Sequence, residues 1–142
     1  MSIKLGYYPA DPEKAFESDS ALDAVNDVVN GLVKIVWEKE PAVKGELAKA
    51  FFTGPYPLFL KAMSNRITSN GSKFLTGDTL CTADFHFGSL IWSVINNELR
   101  EKVGDVDYLK VMFDSHEPLV KYAENIRQEF SSYLETRPKC PR

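Results

Sequence analysis

The sequence predicts an all-α domain, a helical bundle of about six helices, and three observations carry that expectation. Apolar residues recur at three- and four-residue spacing over long segments, and no stretch shows the strict alternation of a half-buried strand. Proline and glycine cluster at intervals that cut the chain into helix-length pieces. A length of 142 residues suits one domain with a substantial core. Hydrophobic content of 44% against 26% charged residues, with a net charge of −3, excludes wholesale disorder.

Residues 1–10 begin in mid-pattern: Ile3, Leu5, Tyr7 and Tyr8 are apolar or aromatic, and Gly6 and Pro9 interrupt them. An apolar terminus of this kind wants a partner. Asp11-Pro12-Glu13 is a helix start, with Asp as N-cap, Pro in the first turn and an acid behind it. Phe16, Leu22, Val25, Val29, Leu32 and Val36 then follow helical spacing to about Glu40-Pro41, a helix of about seven turns. Asp19, Asp23 and Asp27 stand four apart on it, a pattern that suits a solvated acidic face or, as the alternative, a face that meets a cation. Gly31 is expected to let another backbone approach.

A second helix runs from Pro41 through Leu47 and Phe52 to Gly54-Pro55-Tyr56-Pro57, where it ends or kinks. Helix resumes at Leu58 and closes at Asn70-Gly71, a C-cap pair. A loop with turn residues Gly77 and Asp78 leads into the most informative stretch, Leu80-Cys81-Thr82-Ala83-Asp84-Phe85. With Cys81 as N-cap, Asp84 falls at the third helical position, where its carboxylate reaches back to the cap amide. Leu80 and Phe85 take the two positions of a hydrophobic staple. The helix that starts there carries Phe85, Phe87, Leu90, Ile91, Val94 and Ile95 and is apolar on most of its circumference, so it should be buried. Gly88 in its middle points to close helix packing. A short helix follows with Val106, Leu109 and Phe113, after Gly104, and a last one with Leu119, Tyr122, Ile126, Phe130 and Leu134 stops at Arg137-Pro138.

Most function classes are excluded. The 17 basic residues are scattered, without the Lys/Arg stripe that nucleic-acid binding requires. There is no apolar run of signal-peptide or membrane-spanning length, and Cys81 and Cys140 are too few for a disulfide framework. A cytoplasmic location follows as the expectation. His86 and His116 are isolated, no metal-ligand spacing occurs, and the nucleophile-elbow, P-loop and dinucleotide motifs are missing. No metal, cofactor or self-contained catalytic residue is expected. Cys81 at a helix N-terminus could be activated by the dipole, but as a buried substitute cap it is inert.

The order of Leu5-Gly6-Tyr7-Tyr8-Pro9, the long helix with S-D-S-A-L-D-A-V-N-D, the proline-broken pair, G-S-K-F-L-T-G-D-T-L-C-T-A-D-F and the terminal Y-L-E-T-R-P resembles the C-terminal helical domain of cytosolic glutathione transferases. Among their classes it is most similar to mu, pi and sigma. The resemblance covers essentially the whole chain. It departs at Cys81, where the family usually has Ser or Thr. It implies that residues 1–10 are the end of a preceding domain and linker and that residues 11–142 are the helical domain. No β-α-β pattern precedes Leu5, so the thioredoxin-like domain that activates the glutathione thiol is expected to be missing, or replaced by another protein partner. The resemblance further implies that Asp27 reaches across a homodimer to the amino group of glutathione, the co-substrate. Asn30, Val33 and Trp37 would line the hydrophobic-substrate pocket. Read from the residues alone, Trp37 is equally an ordinary core or interface aromatic.

Overall fold

A computed structural model describes residues 2–69, 71, 73–97 and 107–138. The expectations placed on Asn70, Gly104, Val106 and Cys140 lie outside these residues. Among the described residues there are seven α-helices and no strand, only a two-residue bridge between Phe74 and Gly77.

The first helix, α1 (Pro12–Trp37), begins where Asp11 accepts the amides of Glu13 and Lys14, both at 3.0 Å. It stops where Glu38 turns extended and its own carboxylate accepts the amides of Lys39 and Glu40. Its buried stripe is Ser18, Ala21, Val25, Val28 and Ile35. That stripe differs from the expected one: Val25 is common to both, whereas Phe16 and Val36 face solvent. The smaller residues Ser18 and Ala21 are inside because α1 must come close to its neighbours there.

Helices α2 (Pro41–Thr53) and α3 (Pro55–Ser69) are separated by Gly54 alone. Helix therefore resumes at Pro55, earlier than the expected Leu58, because both prolines fall in the first turn of α3, where a missing amide costs no intrahelical bond. Gly31 faces a side chain and not a backbone: a Cβ there would lie 2.6 Å from the Phe51 ring. This corrects the expected backbone approach. Phe51 is buried against the gap and stacks on Tyr56.

The central helix α4 (Thr82–Leu90) lies between α1 and a later helix that begins at Glu117, and continues as a π-helical turn over Ile91–Ile95. Ala83, Asp84, Phe87, Gly88 and Leu90 are buried, but Phe85, His86 and Ser89 are exposed, so the helix is not enclosed on every side. Three further helices complete the bundle. The first, α5 (Tyr108–Asp114), starts at Asp107, and α6 (Glu117–Glu129) carries Pro118 in its first turn. The expected last helix is interrupted at Phe130, after which α7 (Ser131–Thr136) is the last helix among the described residues.

Gly88 is where α6 presses on α4: a Cβ would meet Ile126 Cγ2 at 2.9 Å. Around that contact Phe87 stacks on Tyr122 and meets Phe59 edge-on, joining α3, α4 and α6 through rings that have essentially left water. Burial of this kind, at roughly 25 cal/mol per Å² of apolar area, is the main driving force for the bundle.

Candidate functional site

Two groups of singled-out residues occupy opposite environments. At the start of α4, Asp84 is fully buried and accepts three hydrogen bonds. Leu75 N–H and the Tyr122 hydroxyl reach Oδ1 at 2.9 and 2.8 Å, and Cys81 N–H reaches Oδ2 at 2.8 Å. One carboxylate thus ties the loop before α4, the cap of α4 and helix α6 together. With its acceptor positions occupied by protein donors and no solvent beside it, Asp84 has no free geometry for acid-base work. Leu80 is half-buried, and Phe85 packs on Tyr7 and Phe130 with ring centroids 4.9 and 5.0 Å away. The N-terminal segment is fastened to the same point: Thr82 donates both its amide and its hydroxyl to the Tyr7 carbonyl.

Burial, followed by the neighbouring Asp84 carboxylate, pushes the Cys81 thiol above its ordinary value. Both influences favour the protonated thiol, the opposite of what activates a cysteine. Tyr122 is raised well above its ordinary value, first by burial and then by Asp84. Cys81 also borders a cavity of about 560 Å³ formed with Tyr7, Tyr8, Lys14 and Thr76, beside the N-terminal segment.

The second group lies on α1. Asp27, Asn30, Val33 and Trp37 are all exposed, Trp37 to 79%. Helical geometry puts Asn30, Val33 and Trp37 within about 60° of one another, with Asp27 on their flank. Asp27 has no hydrogen-bond or ion-pair partner among the described residues. A free carboxylate beside an exposed apolar row can hold an ammonium group next to an apolar body. The two groups are not brought together: Asp84 is internal and Asp27 external.

Sequence reasoning missed Asn26 and gave His86 no role beyond a structural one. His86 Nε2 lies 2.9 Å from Asn26 Oδ1, so the exposed side of α4 is joined to α1 one residue from Asp27. Only the adjacency of Asn26 to Asp27 could have pointed there. Asp19 accepts the Tyr8 hydroxyl at 2.7 Å, and this bond is the main reason Tyr8 is raised from its ordinary value. Among the described residues no cluster of three or more His, Cys, Asp or Glu could hold a metal ion, and no helix is long and apolar enough to cross a membrane.

Residues 26–137 match the family model described as "Glutathione S-transferase, C-terminal domain". The chain belongs to this family. The glutathione transferase domain is 30% identical to Glutathione S-transferase 2 of Manduca sexta over 147 aligned positions, which cover 98% of this chain and 64% of that protein. A structure of prostaglandin synthase D of Nilaparvata lugens superimposes with a TM-score of 0.78 at 18% identity. It covers 96% of this chain and 64% of that one, and at this identity the likeness speaks to the fold. The domain therefore spans somewhat less than two thirds of the length of both relatives.

Proposed function

We propose that this chain is the substrate-binding and dimer-forming domain of a cytoplasmic glutathione S-transferase that conjugates glutathione to apolar electrophiles, a detoxification chemistry. The observation that carries this reading is the exposed row on α1, where a partnerless carboxylate, Asp27, borders Asn30, Val33 and Trp37. In a dimer, Asp27 of one subunit holds the amino group of glutathione bound to the other, and Trp37 with Val33 forms a wall for the electrophile. The thiol is activated by a thioredoxin-like domain, since Cys81 and Asp84 are both unsuited to that task. By itself the chain is inactive.

The reading is tested by joining a thioredoxin-like domain ahead of Leu5 and measuring steady-state conjugation. Asp27→Ala should raise KM for glutathione roughly tenfold, while Trp37→Ala acts on KM for the electrophile. Unchanged KM values in both folded variants contradict the assignment.

A second reading is favoured by one observation. Ile3, Leu5, Tyr7 and Phe85 leave apolar surface open around the linker, with Ile3 74% exposed. A non-catalytic module would use that surface to bind another protein of a larger assembly. A thioredoxin-like segment encoded directly upstream of Ser2 favours the enzyme; retention on immobilised glutathione does the same, because the module predicts none.

A further inference from the structure

Asp27 makes no hydrogen bond or ion pair of its own among the described residues, so the rotation of α1 about its axis decides where its carboxylate stands. An α-helix turns about 100° per residue, which puts Asp27 on the arc between Asn26, about 100° to one side, and Gly31, about 40° to the other. Each of these two neighbours is held by a different helix.

Gly31 is pressed against α2. A Cβ there would lie 2.6 Å from the buried Phe51 ring, so α1 has no slack on that side. Asn26 is tied to α4, because His86 Nε2 stands 2.9 Å from its Oδ1. An amide oxygen only accepts, so Nε2 carries the proton and donates it. Both side chains are exposed, and Phe85 and Ser89, the exposed neighbours of His86 on α4, carry no charge.

Apolar burial holds α1 against α4 but is non-directional, whereas a hydrogen bond is directional and fixes one rotation. The lever is long. A roll of about 10° carries a carboxylate that stands about 5–6 Å from the helix axis through about 1 Å, a misplacement that a positioned charge does not tolerate well.

We propose that His86 is a positioning residue for Asp27: its bond to Asn26 fixes the rotation of α1 at which the Asp27 carboxylate meets the ammonium of glutathione. The proposal rests on the reading of Asp27 given above. Because the bond acts only through Asp27, its loss affects the binding of glutathione and not the chemical step.

The test uses the protein with a thioredoxin-like domain joined ahead of Leu5 and compares Asp27→Ala, His86→Leu, His86→Gln and Asn26→Leu, each shown to fold by urea unfolding. Leucine keeps bulk and removes the donor, whereas the glutamine amide places a donor near the position of Nε2. His86→Leu and Asn26→Leu should each raise KM for glutathione about three- to fivefold and leave kcat and KM for the electrophile within about twofold of the wild type. The double leucine variant should be no worse than either single one, because both changes remove the same bond. His86→Gln should return KM to within about twofold of the wild type. An unchanged KM in His86→Leu, a parallel loss of kcat, additive leucine changes or no recovery with glutamine overturns the proposal, while a raised KM in Asp27→Ala leaves the glutathione reading standing. An unchanged KM in Asp27→Ala overturns that reading and the proposal with it.

Discussion

Tyr122 donates its hydroxyl to Oδ1 of Asp84 at 2.8 Å, and the two groups are 1% and 0% exposed. This bond joins α6 to the cap of α4, so the N-terminus of the central helix and its main packing partner are fixed by one carboxylate. Removing it takes the acceptor from the Tyr122 hydroxyl and the Cys81 amide. Asp84→Ala should therefore destabilise the fold by roughly 3 kcal/mol, more than a surface cap, and Tyr122→Phe by about 1–2 kcal/mol. Urea midpoints of the two variants check both figures.

The same pair sets an alkaline limit. Tyr122 is raised by burial and by Asp84, and Cys81 is raised for the same two reasons. The unfolded chain loses these protons at ordinary values, about 8.5 for the thiol and about 10 for the phenol. Between the ordinary and raised values the folded state holds more protons than the unfolded one. The stabilisation is complete below the ordinary values and declines as pH climbs beyond them. Urea midpoints followed from neutral pH to about 11 should fall for the wild type. The gap between wild type and Tyr122→Phe should narrow above about 10.

Cys81 is a buried cap with a sulfur where a hydroxyl caps better. Cys81→Ser should be neutral or stabilising by up to about 1 kcal/mol, because a serine oxygen is the stronger acceptor for the Asp84 amide. In a Cys140→Ser background, Cys81 should react with a thiol reagent only at the rate of unfolding. Rapid labelling of the folded chain contradicts this account.

The two tight glycines should resist alanine. In an exposed helix Gly→Ala gains about 1 kcal/mol of propensity. Here the new methyl would stand 2.6 Å from the Phe51 ring at Gly31 and 2.9 Å from Ile126 Cγ2 at Gly88. Both contacts are buried, so each substitution should cost about 1–3 kcal/mol net. Phe51→Leu should recover part of the loss at Gly31 and none at Gly88, as thermal or urea unfolding will show.

Asp27 and Trp37 are exposed and should tolerate truncation. Asp27→Ala and Trp37→Ala are expected to change stability by no more than about 0.5 kcal/mol. Any loss of self-association, measured by analytical ultracentrifugation, is then an effect on the surface and not on folding.

The fold was legible because helix punctuation is local. Asp11-Pro12, Pro41 and Cys81 to Asp84 each mark a helix start through chemistry within four residues. The α1 stripe was less legible, since Ser18 and Ala21 are chosen for closeness to neighbours and carry no hydrophobic signal. The π turn at Ile91–Ile95 and the break at Phe130 depend on tertiary contacts, such as Arg137 on the Trp92 carbonyl, which have no signature in the local sequence. The same holds for the contacts of the sites. Asp84 was identifiable as a capping residue, but its bond to Tyr122, 38 positions away, was not. His86 and Asn26, 60 positions apart, meet only because α1 and α4 pack together.

The most direct measurement is conjugation of glutathione to a chlorodinitrobenzene by the 142-residue chain alone and by the same chain with a thioredoxin-like domain joined ahead of Leu5. The chain alone should show no rate above buffer, and the joined protein a rate that falls on Asp27→Ala. Conjugation by the chain alone, or a joined and folded protein indifferent to Asp27→Ala, would contradict this expectation.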